Sequence, residues 1–437
     1  MLYYSTRHNS PDVTLEQAVL KGLAADGGLY MPRSFPRLPQ AFLHNFKNMT
    51  LQDLGYAIAH VAFHGDIEAS VLHDIIGDTL TFDMPLRHIE DNKYVMELFH
   101  GPTMAFKDVG ARFMGALARY YMDKHGEFNT VNVLVPTSGD TGGAVAGGFR
   151  NVPGVDVWVL YPQDSISYLQ EAQFASLGGN IHAIEVNGTF DDCKRLVEQA
   201  FMDPELNRKM LLTSATSINV ARIVPQTIYY FWAYAQLAQL GKDVNNLVFS
   251  VPCANLGNLV SGLVAQAIGL PVKRFVAAEN ENHIFHDYLT TGKFMPRPSA
   301  GSIAPALDAG NPTNFERITD ITGSVEKARE MIHSYAYTDQ QIIDTMNDVH
   351  KQHGYIIEPH GAFAYKALCD DLRPGETGVS LATAHPAKFS TQVEMAIGQE
   401  IVVPLQLRDF LSGTRQVTPM SSGYNAFKRL LLENAPA

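Results

Sequence analysis

VNVLVPTSGDTGGAVAGG, residues 131–148, reads as a complete strand–loop–helix unit. A short apolar run ends at Pro136, hydroxyls and glycines follow, and an Ala/Gly-rich stretch continues at helical spacing. A strand that is apolar on both faces has no solvent side, which is the pattern of a covered parallel sheet. The same grammar recurs in VDVWVLYP (155–162), NIHAIEV (180–186), LVFSVP (247–252), KRFVAAEN (273–280) and VSLATAHP (379–386). Helical runs such as FDDCKRLVEQAF and NLVSGLVAQAIG lie between them. This alternation predicts an α/β fold on parallel sheets, with ligands beyond the carboxyl ends of the strands.

Residues before about 88 read differently. TLEQAVLKGLAADGG, LQDLGYAIAHVAF and VLHDIIGDTL are short helical patterns joined by the proline-punctuated MPRSFPRLP. A small, mainly helical N-terminal domain over 1–88 is expected, with the α/β region filling 89–437. At 437 residues the chain is too long for one core.

Bulk composition narrows the partners. A net charge of -12 opposes nucleic acid or an anionic membrane as the main partner, because both need a basic face. It leaves room for a small anionic substrate in a local pocket. The three cysteines, Cys193, Cys253 and Cys369, stand far apart, which argues against disulfides and a zinc site. MLYYSTRHNSPD lacks a signal core or transit pattern, and no apolar run approaches membrane-spanning length. A cytoplasmic protein is expected.

Three loops after strands are rich in small polar residues: TSGDTGG after 131–136, CANLGN after 247–252, and AKFSTQ after 379–386. Each opens a helix, and free N–H groups at a helix start bind anions. Several in one protein point to a ligand with several anionic groups. Neither glycine loop ends in GK[ST], GxGxxG and GxSxG are missing, and HExxH and EF-hand patterns do not occur. His283 and His286, three apart on a helix, lack a carboxylate partner pattern, so no metal is expected.

ELFHGPTMAFKD (97–108) adds the reactive group. YVMEL before it is strand-like, and a helix beginning near Ala105 puts Lys107 in its first turn, where the dipole disfavours a cation. A helix start and burial both lower an amine's pKa, and the neutral amine attacks carbonyls. A Schiff-base lysine with a separate phosphate cradle describes pyridoxal 5'-phosphate binding.

With these motifs in order, the chain resembles threonine synthases of the shorter bacterial and fungal type, in the tryptophan-synthase-β-like group of fold-type-II pyridoxal phosphate enzymes. The resemblance runs from TLEQAVLKGLAADGGLYMP to LATAHPAKF. It implies two parallel-sheet subdomains, C-terminal helices, a monomer, and conversion of O-phospho-L-homoserine and water to L-threonine and phosphate. HGPTMAFKD makes Lys107 the cofactor lysine and the base at Cα and Cβ. TSGDTGGA assigns Thr137, Ser138, Gly139 and Thr141 to the substrate carboxylate, and Asp140 to the cofactor side. SINVARI assigns Ser217, Asn219 and Arg222 to the substrate phosphate, with Lys388 as a further anion ligand. VPCANLGN assigns Ala254, Asn255, Leu256, Gly257 and Asn258 to the cofactor phosphate. Thr383 of TAHPAKF would face the pyridine nitrogen, and a hydroxyl there implies a neutral ring.

Two positions depart from the family pattern. Asp140 stands where the wider group often has Asn, and Ala254 replaces a glycine of Ser-Gly-Asn-Phe-Gly. A positive φ at Ala254 would cost about 1 kcal/mol, so the turn either accepts a methyl group or has shifted. Two alternatives remain open: a phospholyase of the same chemistry releasing 2-oxobutyrate, ammonia and phosphate, and a non-catalytic anion-binding α/β protein.

Overall fold

The computed structural model describes residues 1–125 and 130–434. In chain order the strands are β1 (Tyr3–Ser5), β2 (Tyr30–Pro32), β3 (Leu86–Glu90), β4 (Lys93–Glu97), β5 (Val131–Pro136), β6 (Val155–Pro162) and β7 (Ile181–Asn187). They continue with β8 (Leu211–Thr213), β9 (Leu247–Pro252), β10 (Val272–Glu279), β11 (Ile332–Ala336), β12 (Thr377–Ala382) and β13 (Val417–Ser421). The chain divides into two compact units: Met1–Arg33 with Lys107–Arg222 and Val403–Ala437, and Ser34–Phe106 with Ile223–Val402.

The first unit carries a five-stranded sheet in the order β13-β7-β6-β5-β8, parallel throughout. Its central strands β5 and β6 are buried almost throughout, and Leu134, Trp158, Ile184, Leu196 and Phe427 share one core beside the sheet. The helix Phe190–Met202 begins at a capping box, where Thr189 and Asp192 each satisfy the other's backbone N–H. The helices Lys107–His125 and Asp140–Phe149 meet with almost no side chain between them. A Cβ on Gly115 would lie 2.1 Å from the Gly148 carbonyl oxygen. That glycine contact lets the two helix backbones approach closely.

The second unit carries a six-stranded sheet in the order β11-β10-β9-β12-β4-β3. It is parallel except for β3, which pairs antiparallel with β4. All six expected strands of the α/β region and the strand before Lys107 are present. The N-terminal helical patterns form Leu15–Lys21, Leu51–Phe63 and Ala69–Thr79. The helix expected near Ala105 starts at Lys107 itself. β3, β8, β11, β13 and the antiparallel pair β1–β2 are additional to the sequence reading. Among the described residues no helix is long and apolar enough to cross a membrane.

Candidate functional site

In the first unit, the loop after β5 is built around Thr137. Its hydroxyl accepts from the Gly139 and Gly142 N–H groups at 3.0 and 2.8 Å and donates to the Gly139 carbonyl. Its own N–H donates to Leu160 at 2.9 Å. Thr137 therefore spends both donors on shaping the turn. Gly139, at φ 130°, has a conformation that side chains rarely adopt, and its Cα faces the Gln170 amide. Ser138 and Thr141 are half-buried, and neither side chain has a protein hydrogen-bond partner among the described residues. Asp140 is buried, and one carboxylate oxygen accepts from Gln170 Nε2 at 3.0 Å. Gln170 is held in turn by a capping box with Ser167. A buried glutamine in YLQEAQFA was the only sequence sign of this support.

The segment 213–222 of the same unit is tied down at both ends. Asn219, with no exposed surface, donates from Nδ2 to the carbonyls of Val19 and Ser214 at 2.9 and 3.0 Å. Its Oδ1 accepts from the Ala221 N–H at 3.1 Å. Thr213 also donates to the Val19 carbonyl, at 2.9 Å. The end of the helix Leu15–Lys21 thus anchors the segment, and both amide protons of Asn219 are committed to that scaffold. Arg222 is 3% exposed, with Nη1 donating to Ala215 and Nη2 to the Lys107 carbonyl at 3.3 Å. Lys107 is half-buried at the first helical position, and Ser217 is half-buried.

In the second unit, the loops after β4 and β12 interlock. The N–H groups of Leu98, Phe106 and His385 donate to the carbonyls of Ala382, Thr383 and Met104. Lys388, 1% exposed, donates to the Thr103 carbonyl at 2.9 Å, so this amine latches the two loops. Thr383 is 6% exposed, and its carbonyl holds the residue that precedes Lys107. Burial, with repulsion from His100, lowers the His385 pKa to about 4, which keeps its ring neutral.

The loop after β9 makes a different kind of site. The helix Gly257–Ile268 starts after Leu256, which adopts a left-handed φ of 61°. Ala254 does not have a positive φ, so the methyl group that replaces the family glycine costs nothing and the special position lies two residues later. The N–H groups of Gly257, Asn258 and Leu259 have no protein acceptor among the described residues. Tyr229 and Tyr230 both donate to Asn258 Oδ1, at 2.6 and 2.8 Å. Asn258 Nδ2 is buried without a hydrogen-bond partner. Burial raises the Tyr230 pKa well above its ordinary value, so its hydroxyl stays a donor. Burial likewise raises the pKa of Cys253, which makes that thiol a packing group and not a nucleophile.

A bulky residue in the left-handed region is strained, and such strain gathers at ligand clamps. Met104, at φ 55°, precedes Lys107 by three residues, and Leu256 precedes the free N–H groups. Within the first unit an amine at a helix start suits an aldehyde, and within the second an orphaned amide donor beside free helix N–H groups suits a phosphate. Among the described residues no group of three His, Cys, Asp or Glu could hold a metal ion.

Three family models match the chain: pyridoxal-phosphate dependent enzyme over residues 76–384, threonine synthase N terminus over 2–80, and threonine synthase C-terminal over 361–431. The threonine synthase of Haemophilus influenzae is 40% identical over 405 residues, covering 92% of this chain and 93% of that one. The chain belongs to the threonine synthase family. The crystal structure of the Escherichia coli threonine synthase superposes with a TM-score of 0.93 at 36% identity, covering 99% of this chain and 100% of that one. A pyridoxal-phosphate-bound threonine synthase from Brucella melitensis superposes at 0.91 and 30% identity, with full coverage of both chains. The chain is a pyridoxal-phosphate-dependent enzyme of fold type II.

Proposed function

We propose that this chain converts O-phospho-L-homoserine and water to L-threonine and phosphate. The observation that carries this reading is full-length agreement with threonine synthases, including both terminal family segments. When bound, pyridoxal phosphate supplies an electron sink for charge developing at the substrate's α and β carbons. Lys107 would hold the cofactor, and its amine would move protons at Cα and Cβ of the substrate. Its backbone is fixed by the Arg222 guanidinium.

Different loops carry the remaining roles. Ser138 and Thr141 hold the α-carboxylate by N–H and hydroxyl groups, on a turn shaped by Thr137 and Gly139. Arg222 and Ser217 meet the substrate phosphate, and Asn219 keeps their segment in place. Ala254, Asn255, Leu256, Gly257 and Asn258 form the cradle for the cofactor phosphate. Thr383 faces the pyridine nitrogen and Asp140 the cofactor, while Lys388 acts as a latch behind Thr383.

The test is incubation of purified protein with O-phospho-L-homoserine, assayed for threonine and for 2-oxobutyrate. Threonine and phosphate in equal amounts are expected. 2-Oxobutyrate with ammonia as the main products would replace this reading with a phospholyase. A colourless protein without a borohydride-reducible lysine would remove cofactor chemistry altogether. We place the enzyme in the cytoplasm as a monomer acting on a small molecule, with no nucleic-acid or membrane partner. Residues 1–88 are proposed as a module distinct from the catalytic region 89–437, to be tested by limited proteolysis.

A further inference from the structure

The helix Thr227–Gln239 buries two consecutive tyrosines, Tyr229 and Tyr230, neither with any exposed surface. The Tyr230 ring lies in an apolar box. It meets Phe249 of β9 edge-on at 5.0 Å between ring centroids, and Phe275 of β10 at 6.0 Å. The third wall is Gly262 in the helix Gly257–Ile268, where a Cβ would lie 3.0 Å from Tyr230 Cζ and 2.6 Å from Phe275 Cε1. The missing side chain lets the phenol lie against the helix backbone. A phenylalanine would fill the same box, and a buried hydroxyl costs free energy unless it is hydrogen-bonded.

That hydroxyl serves one residue, a helical turn before Gly262. Its single proton is shared between Asn258 Oδ1 and the Asn258 carbonyl oxygen, each at 2.8 Å. Tyr229 donates to the same Oδ1 at 2.6 Å. Burial keeps the Tyr230 phenol protonated, so it remains a donor. With two hydroxyls converging on Oδ1, the amide is turned so that Nδ2 points away from the tyrosines. Asn258 Nδ2 is buried and has no hydrogen-bond partner among the described residues. A buried donor without an acceptor is rare. Here it belongs to the turn where the N–H groups of Gly257, Asn258 and Leu259 also have no protein acceptor among the described residues, which is a donor set for a phosphate.

We propose that Tyr230 is a positioning residue for the cofactor phosphate: its hydroxyl, fastened to both the backbone and the side-chain oxygen of Asn258, holds that amide with Nδ2 presented to the phosphate. The inference rests on the reading of the 254–258 turn as the phosphate cradle. Tyr230 acts through Asn258. An amide already turned the right way need not be ordered when the phosphate arrives, so the hydroxyl contributes to affinity without being a ligand.

The test follows rebinding of pyridoxal phosphate, and of pyridoxal, which lacks the phosphate, to the full chain freed of cofactor, by absorbance and by the shift in melting temperature. Tyr230→Phe keeps the ring in its box and removes only the hydroxyl. Pyridoxal phosphate should bind about tenfold more weakly, and pyridoxal within about twofold of the parent. Asn258→Ala removes the donor itself and should weaken pyridoxal phosphate at least as much. In the Asn258→Ala background, adding Tyr230→Phe should change the affinity by less than about twofold, because the hydroxyl then has no amide to hold. Unchanged pyridoxal phosphate affinity in Tyr230→Phe, an equal loss for both ligands, or a full further loss in the double variant would overturn the proposal. If Asn258→Ala weakens pyridoxal phosphate selectively and Tyr230→Phe does not, the cradle stands and the role of Tyr230 falls. If Asn258→Ala leaves the affinity unchanged, the cradle reading itself falls, and the proposal with it.

Discussion

Asn219 is read from the sequence as a ligand of the substrate phosphate, yet its side chain makes three buried hydrogen bonds within the protein. Asn219→Ala would leave the Val19 and Ser214 carbonyls and the Ala221 N–H short of a partner. An unmade buried hydrogen bond costs about 1–3 kcal/mol, and Val19 keeps its bond from Thr213, so a total of about 3 kcal/mol is expected. In a unit of about 180 residues that corresponds to a melting-temperature drop of about 6–12 °C. Asn219→Asp should be worse, because it aims a carboxylate oxygen at two carbonyls. Calorimetry on the apoenzyme reads the stability, and cofactor absorbance reads whether the lysine site survives. KM for O-phospho-L-homoserine should rise, since Ser217 and Arg222 ride on the loosened segment. A large rise in KM with a melting temperature within about 1 °C of the parent would refute the scaffold role and restore the direct ligand.

Borohydride reduction should fix the cofactor to Lys107, and Lys107→Ala should abolish both the adduct and threonine formation; label on another lysine would reassign the site. Thr383→Asp puts an acid at the pyridine nitrogen, so the cofactor spectrum should shift and turnover fall by about tenfold or more, and an unaltered spectrum and rate would remove Thr383 from this position. Gly115→Ala drives a Cβ towards the Gly148 carbonyl, which should cost about 2–3 kcal/mol and be read as a lower melting temperature; an unchanged value would mean that the two helices can part freely. The Arg274 guanidinium, bonded to Glu376 in a buried pair, lowers that carboxyl from 4.5 to about 2. Because the folded value is the lower one, the stabilisation is complete above the unfolded value and is lost as pH falls towards 2, so Glu376→Gln should cost about 3 kcal/mol at pH 7 and less in acid; an equal cost in calorimetry at pH 7 and pH 3 would refute it.

The features legible in the sequence were those with a period or a punctuation mark. Two-sided apolar strands mark the parallel sheets, and Lys107 does stand at the start of a helix. Elements set by long-range pairing were not legible: β13 joins the sheet beside β7 from more than two hundred residues away, and its local sequence, VTPMS, has no strand alternation. Site residues were recognisable by type but not by commitment. Nothing local tells that the Thr137 hydroxyl closes its own turn, or that Asn219 serves the carbonyl of Val19. Supporting groups were missed for the same reason, since Gln170, Tyr229 and Tyr230 lie on helices distant in sequence from the loops they hold. In the 254–258 turn the methyl group of Ala254 is tolerated without a positive φ, and the strain sits at Leu256, an ordinary apolar letter in an extraordinary conformation.

The discontinuity of the first unit also sets a timetable for synthesis. Its last strand, β13, is parallel to β7 at the sheet edge and lies within the final 35 residues, Val403–Ala437. A nascent chain halted at Val402 has every residue of the second unit but lacks the edge strand and closing helix of the first. The lysine-bearing unit is therefore completed on the ribosome only after the second unit, although its segment Met1–Arg33 is made before any of that unit.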